Sequence, residues 1–100
     1  MEIARNSVVG VLGYGVTGQS VLRYLANFDC SLVLFDTRKP PKDFLKIPGV
    51  QYNWQIESWS RLDIDLLFVS PGVRLDLPIL QQARNYGIEI VSDLDLFYSE

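Results

Sequence analysis

Residues Val8-Val9-Gly10-Val11-Leu12-Gly13-Tyr14-Gly15-Val16-Thr17-Gly18-Gln19-Ser20 run from an apolar stretch into Gly-x-Gly-x-x-Gly and on into a helix-like pattern. Each glycine has its own task in a turn of this kind. Gly13 takes backbone angles that a side chain would forbid, and Gly15 lets a pyrophosphate approach the main chain. Gly18 lets the helix lie close to the strand. Asp36 stands 18 residues beyond Gly18, where the next apolar run ends. The pattern reads as a nucleotide site and leaves the nucleotide open.

The rest of the chain alternates in the same way. Strands are predicted at residues 7–12, 31–35, 50–53, 66–70 and 88–91. Leu32-Val33-Leu34-Phe35 and Leu66-Leu67-Phe68-Val69 are apolar at every position. Continuous runs of that sort suit parallel strands covered on both faces. Gly18, Val21, Leu22 and Leu25 fall at i, i+3, i+4 and i+7, which marks one buried face of a helix. A second helix is predicted over residues 78–86, with Asp76 as N-cap and Pro78 in the first turn. Ile79, Leu80 and Ala83 form its buried face, and Gly87 suits the left-handed position past its end. A short last helix, capped by Ser92 or Asp93, is expected in the tail. Residues 36–43 are a loop, because Pro40-Pro41 removes two donors and fixes φ. Trp54 and Trp59 read either as cover for a sheet edge or as an aromatic ligand platform.

The expected fold is α/β: a doubly wound, Rossmann-like sheet of five parallel strands in the order 3-2-1-4-5, with helices on both faces. One hundred residues, 48% hydrophobic and 21% charged, make a single domain spanning 1–100. Ligands bind such sheets beyond the carboxyl ends of the strands, at the switch between the first and fourth. The turns predicted to meet there are residues 13–17, Asp36-Thr37-Arg38 and Ser70-Pro71-Gly72-Val73.

Composition narrows the chemistry. A formal charge of −3 argues against a nucleic-acid partner, whose binders usually carry a basic face. No apolar run reaches membrane-spanning length and residues 1–6 lack a signal-peptide pattern, so a cytoplasmic location is expected. The lone Cys30 permits no internal disulfide or cysteine metal cluster, and reads as a partly buried thiol. There is no histidine, and Lys39, Lys42 and Lys46 do not follow a glycine as a phosphate-loop lysine does. No catalytic or metal-ligating set can be assembled.

The predicted crevice has a readable chemistry. The helix start at Val16 and Thr17 presents unpaired N–H groups to a diphosphate, and Thr17 adds a hydroxyl. Asp36 carries three readings. Its carboxylate accepts from a ribose in a dinucleotide site, with Arg38 near a 2′-phosphate. In a uridine site it takes the uracil N3–H while Thr37 donates to a ring carbonyl. Otherwise it closes the strand with an Asx turn. Gly72 allows close approach of a ligand from the fourth strand. Arg38 and Arg74 are the nearby cations, and either reads equally as a solvated side chain.

Taken together, Gly13-Tyr14-Gly15-Val16-Thr17-Gly18-Gln19-Ser20, Asp36-Thr37-Arg38, Ser70-Pro71-Gly72-Val73 and Gly87-Ile88-Glu89-Ile90-Val91-Ser92-Asp93-Leu94-Asp95-Leu96-Phe97 resemble the N-terminal domain of the D-glutamate-adding Mur ligases. These are enzymes of bacterial peptidoglycan synthesis. The resemblance covers nearly the whole chain, with its blocks in the family's order. It implies a site for the UDP part of UDP-N-acetylmuramoyl-L-alanine rather than for NAD. Val16 and Thr17 would meet the diphosphate through the helix start, Gly13 and Gly15 belong to the same UDP-binding set, and Asp36 and Thr37 would read the uracil. Arg38 would flank the base, and Ser70 and Gly72 would line the crevice. The alternative is a regulatory NAD-binding module with the same glycine turn.

The family enzymes are ATP-dependent, ADP-forming ligases whose Mg²⁺ and ATP sites lie in a central domain with a Gly-Lys-Thr/Ser loop. A third domain takes D-glutamate. This sequence stops near Glu100, where the first domain would hand over to the second. The expectation is a monomeric domain without a cofactor of its own, one that binds and does not ligate.

Overall fold

The computed structural model describes residues 6–44, 46–57, 63–74 and 76–92. Strands β1 (Ser7–Leu12), β2 (Cys30–Phe35), β3 (Val50–Asn53), β4 (Leu66–Val69) and β5 (Glu89–Val91) form one parallel sheet. Its order is β3-β2-β1-β4-β5, as the sequence predicts. Helix α1 (Val16–Leu25) follows β1, and α2 (Pro78–Asn85) follows β4.

Leu32–Phe35 of β2 and all of β4 are apolar at every position because each face of the sheet has its own core. Val9 and Val11 of β1 lie beside Leu32 and Leu34 of β2, and beside Leu66 and Phe68 of β4. All six pack with Val21, Leu22 and Leu25 of α1. The intervening positions face the other way: Leu12, Leu67 and Val69 pack with Ile79, Leu80 and Ala83 of α2. Alternation along a strand thus becomes two cores, one under each helix. Both helical stripes read from the sequence are the buried ones.

The start of α2 departs from the expectation. Its N-cap is Leu77, in extended backbone and without a side-chain cap. Asp76 instead takes the Arg74 Nε and Nη2 donors at 3.0 and 2.7 Å. A bidentate guanidinium two residues away outcompetes the helix N–H groups for that carboxylate. Pro78, whose φ is already helical and which brings no orphan N–H, opens the helix in its place. Gly87 takes a positive φ of 77° just past the end of α2, as expected.

Residues 36–43 form no regular element. Trp54 packs among Tyr14, Phe44 and Tyr52 beside the edge strand β3, which is the edge-cover reading. Trp59, Asp93 and the expected tail helix lie outside the described residues. The half-buried Cys30 thiol donates to the Leu25 carbonyl at 3.7 Å, and burial raises its pKa. Among the described residues no helix is long and apolar enough to cross a membrane.

Candidate functional site

From β1 the chain turns sharply at Gly13, whose φ is +102°. A Cβ there would also sit 2.8 Å from Val73 Cγ2. Gly18 answers a different demand. It lies buried on the first turns of α1, where a Cβ would run into the Gly13 carbonyl oxygen. Gly15 is the N-cap of α1, and a Cβ there would meet nothing within 4 Å. The three glycines therefore do three things: one turns, one packs, and one leaves space above the helix start.

That space belongs to a cleft of about 390 Å³ at the carboxyl ends of β1, β2 and β4. Gly13 and Gly15 form one part of its wall, and Asp36, Thr37 and Arg38 a second. Ser70, Pro71, Gly72, Val73 and Arg74 form the third, with Leu12 and Leu77 beneath. This is the switch point of the sheet, since β1 is followed by a crossover to one side and β4 by a crossover to the other. The structure brings together seven of the nine candidate residues, Gly13, Gly15, Asp36, Thr37, Arg38, Ser70 and Gly72. Val16 and Thr17 open α1 next to the wall and are not part of it; the Val16 side chain is 82% exposed. Neither a side-chain cap nor an acidic residue occupies the first turn of α1, so its N–H groups and positive end are left for a ligand.

Asp36 is buried, 2% exposed, and its carboxylate is fully engaged. Oδ2 accepts the Tyr14 N–H at 2.8 Å and Arg38 Nη2 at 2.8 Å. Oδ1 accepts the Arg38 N–H at 2.8 Å and Arg38 Nε at 3.0 Å. The bond from Arg38 N–H is the Asx turn foreseen as one reading of this residue. Tyr14 N–H adds what the sequence did not signal: the carboxylate ties the end of β2 to the glycine turn. Burial alone would raise its pKa, but the Arg38 side chain, the Tyr14 and Arg38 N–H groups and the Arg38 charge together hold it below the usual carboxylate range. Arg38 Nη2 also donates to the Tyr14 carbonyl at 3.2 Å. The Arg38 side chain itself remains 67% exposed.

Ser70 faces the cleft wall with its hydroxyl already spent. Oγ donates to the Gly13 carbonyl at 2.7 Å, so the end of β4 braces the same turn from the other side. Tyr14 is absent from the site residues expected from the sequence, yet its backbone joins Asp36 and Arg38. Its ring stands edge-on to Phe44 and Trp54, with centroids 5.3 and 5.4 Å away. An aromatic between two site glycines was the available signal.

A family model described as "Mur ligase MurD-like, N-terminal domain" matches residues 7–92. The chain is 39% identical to the UDP-N-acetylmuramoylalanine--D-glutamate ligase of Saccharophagus degradans, with 98% of this chain and 24% of that protein aligned. It is 37% identical to the ligase of the same name from Blochmanniella floridana, over 96% of this chain and 22% of the relative. For Haemophilus influenzae the identity is 30%, over 97% and 23%. The chain thus spans about a quarter of the length of these relatives. A glycine turn braced by Asp36 and Ser70 at the switch of a 3-2-1-4-5 sheet, and a family match over almost every described residue, make this chain a member of the MurD-like N-terminal domain family of Mur ligases.

Proposed function

We propose that this chain is the substrate-binding domain of a ligase that joins D-glutamate to UDP-N-acetylmuramoyl-L-alanine in cytoplasmic peptidoglycan synthesis, and that the domain holds the UDP part. The reading is carried by one juxtaposition. An acceptor carboxylate and a hydroxyl, Asp36 and Thr37, share a cleft with the uncapped start of α1. The first pair suits the N3–H and a carbonyl of a uracil; the helix start suits a diphosphate.

Binding the base asks for one exchange. The Asp36 oxygens already take four donors, about the capacity of a carboxylate. A uracil N3–H must therefore replace a donor of the exposed Arg38 guanidinium, while the Tyr14 and Arg38 N–H groups keep the carboxylate aimed. Arg38, displaced outward, then flanks the base. Gly13, Gly15, Val16 and Thr17 take the diphosphate along the main chain, and Gly72 closes the nucleotide from β4. Ser70 serves this arrangement by bracing Gly13.

The 100 residues contain no histidine and no Gly-Lys-Thr/Ser loop. Acyl-phosphate formation with ATP and Mg²⁺, and the attack by D-glutamate, are assigned in this reading to parts of the ligase beyond this domain. The domain acts as a monomeric substrate handle and does not ligate by itself.

Calorimetric titration with UDP, UDP-N-acetylmuramoyl-L-alanine and NADH tests the proposal. The two uridine compounds should bind more tightly than NADH. The reverse order would make the chain an NAD-binding module instead.

A further inference from the structure

Three ionised side chains lie in the described wall of the cleft: Asp36, Arg38 and Arg74. The first two cancel, since the Arg38 fork spans both oxygens of the buried Asp36. The surplus charge facing the cleft is then the Arg74 guanidinium. It stands on the turn after β4, opposite the Asp36 wall across the switch point.

Arg74 is bound differently from Arg38. Its carboxylate partner, Asp76, lies outside the described cleft wall, and both side chains of the pair are exposed, at 77% and 67%. Ion pairs in water of this kind hold weakly. Asp76 moreover takes only the Nε and Nη2 edge of the guanidinium. Nη1 and the second Nη2 proton form another donor edge that matches two phosphate oxygens. The start of α1, on the Gly13–Gly15 side of the same cleft, offers N–H groups and a partial positive end but no full charge.

We infer that Arg74 is a diphosphate-binding residue, gripping the nucleotide from the β4 side while the start of α1 holds it from the β1 side. The inference rests on the uridine-diphosphate reading of this cleft and adds a residue to it. Asp36 and Thr37 read the base end, flanked by Arg38, and Arg74 reads the charge of the diphosphate.

The test compares UDP with uridine, which lacks the phosphates, on the 100-residue chain and its Arg74→Ala variant, followed by NMR titration. Arg74→Ala should weaken UDP by about tenfold, the worth of one charge-assisted bond, and leave uridine unchanged. The loss should shrink as salt is added, because the contact is exposed. Equal UDP affinity in the two proteins overturns the inference, as does an equal loss for UDP and uridine. If the unaltered chain binds neither compound, the uridine reading itself fails. A chain that binds UDP but ignores the Arg74 change removes only this residue's role. The Arg74 side chain is 77% exposed, so circular dichroism should show the variant folded.

Discussion

The Ser70 hydroxyl donates to the Gly13 carbonyl across 57 residues of sequence, at 2.7 Å and between buried residues. This bond clasps β4 to the turn that follows β1. With the Asp36 bond to Tyr14 N–H, it holds the turn from both neighbouring strands. In the proposed diphosphate role the turn must aim several main-chain N–H groups at one anion, which needs such bracing because a glycine turn alone is free to move.

Ser70→Ala should therefore act on stability first. It strands the Gly13 carbonyl in a buried position, at a cost of about 1–3 kcal/mol. Urea unfolding should show the lower midpoint at unchanged slope. UDP affinity should fall together with it, as the turn loosens.

Gly18→Ala and Gly15→Val should separate fold from binding. A Cβ on Gly18 meets the Gly13 carbonyl, a backbone atom that cannot step aside, so thermal unfolding should report a loss of about 3 kcal/mol. Gly15 faces open space, so its valine variant should keep nearly the parent melting temperature. The same variant should lose UDP, since the added bulk stands over the helix start.

Asp36 links stability to pH. Its folded pKa is depressed, so the unfolded chain binds its proton more readily. The stabilisation is complete above the unfolded value of about 3.9 and disappears as pH falls through the folded value. The stability of the parent should accordingly approach that of Asp36→Asn as urea melts are taken from pH 5 toward pH 2. A constant gap between them would contradict this linkage. Asp36→Ala should weaken uridine binding, and the Tyr14 N–H it leaves unpaired should make it destabilising as well.

Tyr52→Phe tests the loop behind the site. The Tyr52 hydroxyl accepts the Ile47 N–H at 2.8 Å, and its ring lies edge-on to Phe44 at 4.8 Å. Losing the hydroxyl should cost about 1 kcal/mol in chemical denaturation. The ring stays, so UDP affinity should change little.

Much of this was legible in the chain. Continuous apolar runs, a glycine turn and two helical stripes place five strands to within one residue of where they lie, and the 3-2-1-4-5 order follows from their succession. These features are encoded locally. A turn needs a particular φ at Gly13, and a helix needs its apolar residues on one side, whatever surrounds them.

What tertiary structure decided is where polar atoms spend their hydrogen bonds. Asp76 has the type and place of a helix cap, yet a guanidinium beside it takes the carboxylate. Asp36 stands in the wall of the cleft and also receives an N–H from 22 residues away. Ser70 lies in the wall of the site and braces it. Sequence determined which groups converge on the switch point, because strand order alone brings them there. Only packing selected their partners, because a buried donor or acceptor must be satisfied by whichever group the fold brings within reach.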